Sequence, residues 1–410
     1  MNKRVLFSAF LGTLIEVYDF SVFPFFIPIL TEVFFFSYDK SIGINFTILA
    51  YVVSYFVKPF SAIVCGYLMD YFGRRGVFVL TTVLMTVATS AIALLPSSLM
   101  SWGCGTLLII CRLLQGIAIS GEFATAIIMT VEEGRKRSAL YGCIAFMGGS
   151  IGLLLANFSV LIALYVIPHE QMINFGWRIP FLIGAIGCIS LLYMRSGLKY
   201  DFVDSKKPHT FKSLFKANKR ELWLVFIVSS LSASAFYITF VFLPTLLSTL
   251  LALHTHQDAI WITLSALILY VVALPLGGIL ADKIGILRQI RIASLLYLLF
   301  SYMTFNAIPQ LGLLGCMIIL AFFSIIQALL NSALPAFIVD QFEFNQRGKA
   351  LGVSYNLSLA LFGGLLPYII AAYNTHLNPG IPISICAVLC LICINFREVK
   401  YGYLRSKSTY

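Results

Sequence analysis

Gly66-Tyr67-Leu68-Met69-Asp70-Tyr71-Phe72-Gly73-Arg74-Arg75 closes one long apolar run and is followed at once by another. Asp70, Arg74 and Arg75 are therefore expected in a very short turn between two membrane-length segments. A weaker echo, Gly278-Ile279-Leu280-Ala281-Asp282-Lys283-Ile284-Gly285, stands 212 positions further on, counted from Asp70 to Asp282, again between apolar runs. Two related turns, one in each half, imply a chain of two similar halves in a membrane.

The totals agree. Of 410 residues, 60% are hydrophobic and only 11% charged, with a mean hydropathy of +0.94. Soluble domains carry about 25% charged residues, so the chain reads as an all-α polytopic membrane protein. Its net charge of +11 would suit nucleic acid, but the basic residues lie in short turns between apolar runs, where the lipid bilayer is the partner and nucleic acid is not. The first apolar run follows Lys3 and Arg4, is too long for a secretory signal and lacks a small-residue cleavage site, so it reads as a retained helix. The nine cysteines fall mostly inside apolar segments, which argues against a disulfide framework, and Cys390 and Cys393 read as packing residues.

Runs of roughly 20 apolar residues, the length that crosses a hydrocarbon core, fall at 6–30, 44–69, 77–96, 104–130, 138–166 and 177–195, and then at 221–250, 259–281, 289–307, 312–339, 348–373 and 380–396. That makes twelve, six and six. With both termini in the cytoplasm, the inner segments hold 24 of the 28 Lys and Arg, all but Lys40, Arg178, Lys58 and Arg112. This bias sets the orientation. Residues 1–197 form an N-terminal bundle, 221–410 a C-terminal one, and the Lys-rich, Pro-containing interval 198–220 a cytoplasmic linker beside anionic headgroups. Within the linker, 210–220 has the pattern of a short amphipathic helix lying on the membrane.

Two six-helix halves, a long middle loop and a G-x-x-x-D-x-x-G-R-R turn resemble the major facilitator superfamily. The resemblance narrows to its metabolite:proton symporter family. Glu16-Val17-Tyr18-Asp19-Phe20 is similar to that family's E-W-Y-D-F; Lys58-Pro59, Arg112-Leu113-Leu114-Gln115-Gly116, Ser120-Gly121-Glu122, Gly176-Trp177-Arg178-Ile179-Pro180-Phe181, Tyr355-Asn356, Phe362-Gly363-Gly364 and Pro367 add further matches. The family includes transporters of proline and betaine, α-ketoglutarate, citrate and shikimate. The chain departs from it at Val17 (usually Trp), Lys58 (usually Arg) and Ser120 (usually Gly), and the second turn lacks the Gly-Arg pair. The chain also stops soon after the twelfth run, without the C-terminal coiled coil of the osmosensing branch. The resemblance implies a major facilitator fold, twelve transmembrane helices in two pseudo-symmetric six-helix bundles, working by alternating access.

Ionisable groups inside a span cost about 2.5–3.5 kcal/mol each on insertion scales and are functional candidates by default. Glu16 lies 12 residues beyond Arg4, roughly 18 Å at about 1.5 Å per residue, with Asp19 three positions on and Gly12 placed for close helix approach. Phe20, Phe23, Phe25 and Phe26 read as lipid-facing or packing residues. In the fourth span Arg112, Gln115, Ile119 and Glu122 follow a 3-4-3 spacing along one face. Asp19 and Arg112 are placed to meet as an ion pair, as a first-span acid and a fourth-span Arg do in related sugar porters. Lys58 is a second candidate partner, or a binder of a substrate carboxylate. In the second half Tyr237, Thr239, Tyr355, Asn356 and Ser358 offer hydrogen bonds and aromatic contact.

The expected mechanism is a proton-linked switch. Asp19 or Glu16 alternates between paired and unpaired settings, which changes its proton affinity, and protonation frees Arg112 or Lys58 for an anionic substrate group. The alternative is a permanent structural bridge. By resemblance, Asp70, Arg74, Arg75, Glu132 and Arg135 form a cytoplasmic gating latch, with Asp282 the echo in the second half and Asp340, Glu343 and Arg347 mirroring Glu132 and Arg135. Arg178 reads as an interfacial anchor or an outer latch, and His254 and His256 as a solvated turn.

The predicted function is proton-coupled uptake of a small organic acid or zwitterion in a bacterial cytoplasmic (inner) membrane, by a monomer whose partners are its small-molecule substrate and the bilayer. The proton is the coupling ion; no other cofactor and no metal site is expected. An exporter is the runner-up, weakened because 147–152 lacks the proline-containing glycine motif of drug antiporters. A non-transporting receptor or scaffold would leave three acids and two bases inside spans without purpose. No enzyme is predicted, as no nucleophile–base pair or metal quartet stands out.

Overall fold

The computed structural model describes the backbone of residues 3–96, 101–196, 215, 217–251, 253–343, 346–372 and 378–407, and the side chains in these ranges except at 3–4, 40, 66–67, 69–75, 78, 101–102, 104, 195–196, 372 and 396–407. Ten helices are long and apolar enough to cross a membrane: α1 (Val5–Phe25), α2 (Ser41–Cys65), α4 (Gly105–Glu133), α5 (Arg135–Val166), α6 (His169–Met194), α7 (Lys219–Leu250), α8 (His256–Ile284), α9 (Ile286–Gln310), α10 (Leu313–Val339) and α11 (Arg347–Ala371). Two shorter apolar helices, α3 (Val79–Leu94) and α12 (Gly380–Asn395), bring the number of described apolar helices to twelve. No strand occurs among the described residues. Large apolar side chains such as Phe60, Val166, Tyr193 and Leu314 stand 70%, 72%, 84% and 73% exposed, which is stable only against lipid.

The turn at 66–75 differs from its expectation. Helical backbone is continuous over Lys40–Leu94, so no loop interrupts it. Yet Ser54 on α2 and Thr89 on α3 both meet α4, at Arg112 and Gln115, one helical turn apart. A straight helix would hold Ser54 and Thr89 about 52 Å apart at about 1.5 Å per residue. The run therefore reverses direction between its two apolar parts without leaving helical geometry. The side chains of Asp70, Arg74 and Arg75 lie outside the described residues, as does most of the 198–220 linker.

Close approach of α1 to α5 is made at glycines of α5: a Cβ at Gly148 or Gly152 would strike the Phe10 or Leu14 carbonyl. The fourth span also differs from a single regular helix. It breaks at Ser120 and Gly121, between helical segments Ser101–Ile119 and Glu122–Glu133. The break interrupts the expected Arg112–Glu122 stripe and frees the Ser120 carbonyl. Asn356 on α11 donates its Nδ2 to that carbonyl at 2.9 Å, tying the halves together mid-molecule.

Candidate functional site

Asp19 is fully buried on α1, and its carboxylate is held from two other helices. Thr89 of α3 donates its hydroxyl to Asp19 Oδ2, and Gln115 of α4 donates Nε2 to the same oxygen at 3.1 Å and to Thr89 Oγ1 at 2.9 Å. Oδ1 has no hydrogen-bond partner. The expected Asp19–Arg112 ion pair does not form. Gln115 stands between the two charges, its Oε1 accepting from Arg112 Nη1 at 2.7 Å. The reason is geometric: Arg112 and Gln115 are three residues apart, so one face of α4 presents both, and the shorter amide reaches Asp19 first.

Arg112, also fully buried, spends its remaining capacity on neutral groups. Nη1 reaches the Phe20 carbonyl at 3.4 Å and Nη2 the Ser54 hydroxyl at 3.5 Å, while Nε has no partner. Its guanidinium lies 4.3 Å from the Phe20 ring centroid and 4.5 Å from that of Phe23. Lys58 on α2 is held the same way, Nζ lying 3.8 Å from the Tyr55 centroid and 4.3 Å from that of Phe20. Phe20 thus has two cations over its ring. The phenylalanines of α1 read from sequence as packing or lipid-facing are all buried, and two of them replace carboxylates as cation partners. Aromatic enrichment marked these positions; nothing in the spacing marked their role.

Between the halves lies a cavity of ≈ 80 Å³. Of the residues expected to meet substrate, it is lined by Lys58, Tyr237, Tyr355 and Asn356, and it adds Ser150, Ser232 and Asn331, which sequence reasoning missed. Glu16 and Glu122 are buried away from its lining, and Glu16 Oε2 has no partner. Asp19, Arg112 and Gln115 are not among its lining residues; Phe20, over whose ring both Lys58 and Arg112 lie, connects them to Lys58. Thr239 is buried with Oγ1 unpartnered, and Ser358 donates to the Tyr355 carbonyl at 2.7 Å.

The halves also touch at both ends. At the end assigned to the cytoplasm, Arg347 Nη1 meets Glu132 Oε1 at 2.5 Å; the basic residue read as a mirror of the Glu132 cluster is in fact its partner. Arg135 is exposed and makes no ion pair with a described residue. Asp282 on α8 accepts from the backbone N–H groups of Ala139 at 3.0 Å and Leu140 at 3.1 Å, two orphan donors in the first turn of the helix that starts at Ser138. Gly278, one turn before Asp282, makes this approach possible, since a Cβ there would sit 2.9 Å from the Leu140 Cα. At the other end His256 Nε2 bonds the Phe25 carbonyl at 2.8 Å, Gln257 the Leu164 carbonyl at 3.2 Å and Trp261 the Tyr165 hydroxyl at 3.2 Å. His256, expected in a solvated turn, joins the halves. Arg178 binds the Leu95 and Asn174 carbonyls, both at 2.7 Å, so it braces the first half internally.

The eight described cysteines are free thiols. No three described His, Cys, Asp or Glu side chains cluster as a metal site.

A family model described as Major Facilitator Superfamily matches residues 9–257 and 225–401. The chain is 26% identical over 396 residues to the inner membrane metabolite transport protein YhjE of Escherichia coli, covering 92% of this chain and 89% of that one. It is 27% identical over 422 residues to the proline/betaine transporter of Salmonella typhimurium, covering 95% and 82%. Among solved structures, a D-xylose-proton symporter superposes with a TM-score of 0.76 at 16% identity, covering 96% of each chain. The xylose transporter XylE from E. coli, in a partially occluded inward-open conformation, gives 0.73 at 15% identity, covering 96% and 97%. At such identities the structural likeness concerns the fold.

Proposed function

We propose a function from this premise: the chain belongs to the Major Facilitator Superfamily, a multi-pass membrane transporter of small molecules. Our reading is that it takes up a small monocarboxylate or zwitterion by proton symport, with alternating access of the cavity. The names of the transporters it resembles support the substrate class, and Lys58, the one cation among the described residues of the cavity lining, suits one carboxylate and not two.

The observation that carries proton coupling is the setting of Asp19. A buried carboxylate with Oδ1 unpartnered and an amide in place of a direct Arg contact is free to gain a proton without first breaking an ion pair. Protonation leaves Gln115 as the link between α1 and α4 and removes the negative charge facing Arg112. Glu16, one turn away and also unpartnered at Oε2, is the second candidate for the proton site. Lys58, held among the described residues by the rings of Phe20 and Tyr55, exchanges them for the substrate carboxylate. The inner contacts Glu132–Arg347 and Asp282–Ala139/Leu140 and the outer ones at His256, Gln257 and Trp261 then open alternately. In this reading residues 1–197 and 221–410 rock as two bundles, with both termini in the cytoplasm of a bacterial cell.

The test is uptake by purified protein in liposomes with and without an inward proton gradient, beside Asp19→Asn. Gradient-driven accumulation lost in the variant, with counterflow exchange retained, is expected. Equilibration indifferent to the gradient in the wild type would make the protein a facilitator and Asp19 a structural residue.

A further inference from the structure

The serines and asparagines of the cavity have most of their protons committed elsewhere, whereas Tyr237 and Tyr355, which also line it, carry hydroxyls that can donate or accept. Ser150 donates its hydroxyl to the Phe146 carbonyl at 2.6 Å. Ser232 donates its own to Asn331 Oδ1 at 2.6 Å. Asn356 gives both amide hydrogens to carbonyls, those of Ser120 and Gly352, each at 2.9 Å. A carbonyl can only accept, so the amide orientation of Asn356 is forced and its Oδ1 is what remains. Asn331 gives one N–H to the Tyr270 hydroxyl at 2.7 Å. These four side chains line the cavity and are 1–5% exposed. What they offer a ligand is therefore mainly acceptor oxygens: Ser150 Oγ from the first half, Ser232 Oγ and Asn356 Oδ1 from the second. Lys58 is the opposite case. Its ammonium carries three N–H donors, it makes no hydrogen bond with a described residue, and it lies over the rings of Phe20 and Tyr55.

From this distribution we infer that the substrate is a monocarboxylate whose other end carries N–H donors, a primary or secondary ammonium, and that a quaternary ammonium is discriminated against. Lys58 takes the carboxylate; Ser150, Ser232 and Asn356 take the N–H groups. The assignment rests on the proposed uptake of a monocarboxylate or zwitterion and narrows it. A fully methylated nitrogen is bulkier and brings no donor to these oxygens, and a site built to hydrogen-bond an N–H disfavours the analogue that lacks it. An N–H ligand also contacts Ser150 on one half and Ser232 and Asn356 on the other, so it draws the halves together as it binds.

Wild-type protein in liposomes loaded for counterflow would be challenged with L-proline, N-methyl-L-proline and N,N-dimethyl-L-proline, which keep one carboxylate and ring while the nitrogen goes from secondary ammonium to quaternary. Competition is expected to weaken along the series, by about ten-fold or more from first to last, the effect of losing bonds from a charged donor. Ser232→Ala and Ser150→Ala, each isosteric apart from the hydroxyl, are expected to weaken L-proline and leave the dimethyl compound unchanged. Equal or better competition by N,N-dimethyl-L-proline overturns the inference while leaving the monocarboxylate reading intact. Equal loss of all three probes in the serine variants also overturns it. No competition by any of the three overturns the monocarboxylate reading itself, and this inference with it.

Discussion

Gln115 and Gln327 are 212 positions apart, the same offset that relates Asp70 to Asp282, and each sits at the centre of a buried polar network in its own half. In the first half the glutamine joins two full charges, accepting from Arg112 and donating to Asp19. In the second it accepts from the Tyr297 hydroxyl and donates to the Ser232 carbonyl at 3.2 Å. Ser232 then bonds Asn331, and Asn331 bonds Tyr270. One framework carries a chargeable network on one side of the cavity and a neutral one on the other. A buried charge whose partner is removed is costly, whereas a neutral hydrogen bond contributes only about 1 kcal/mol. The first network suits a group that must change state, and the second suits one that holds its shape and presents acceptors.

The largest expected effect tests the charged side. An inward proton at about 100 mV supplies roughly 2.3 kcal/mol, enough for about fifty-fold accumulation. Asp19→Asn should bring that ratio to about one, read as gradient-driven uptake at equilibrium in liposomes. Retained accumulation would move the proton site to Glu16.

The glutamine pair gives the direct contrast. Gln115→Leu removes hydrogen bonds to two charged groups, each worth about 1.5–3 kcal/mol, and should lower the thermal unfolding temperature and abolish coupling. Gln327→Leu removes neutral bonds worth about 1 kcal/mol each and should leave the dependence of uptake on the proton gradient intact. Equal loss of coupling in both would erase the distinction between the halves.

Smaller effects are expected at the contacts between the halves. Asp282→Ala uncovers two helix-terminal N–H groups, a loss of about 1 kcal/mol. It should favour opening at that end by about five-fold, seen as faster labelling of a cysteine introduced on the inner cavity wall. Glu132→Gln breaks a partly exposed pair worth about 0.5 kcal/mol, with a two- to three-fold change, flattened further by high salt.

The membrane class, the twelve apolar segments and the presence of ionisable residues in spans were all legible in the chain, because each depends only on local composition and helical period. Lys58, Tyr237, Tyr355 and Asn356 could be picked out as cavity residues on the same ground. Ser232 and Asn331 could not, since a serine or asparagine in an apolar span satisfies its own backbone as often as it meets a ligand. The reversal inside Lys40–Leu94 was legible from its two apolar parts, but its helical backbone was not.

The sequence by itself determined which groups are buried at a cost, and on which helix face they stand. Tertiary structure alone decided their partners: that Gln115 stands between Asp19 and Arg112, that Phe20 faces two cations, and that Arg347 answers Glu132 across 215 positions. The physical reason is that helical period settles the direction in which a side chain leaves its own axis. What it meets there depends on how neighbouring helices are packed, and glycines such as Gly148, Gly152 and Gly278 set that through distances of a few ångströms that no local pattern encodes.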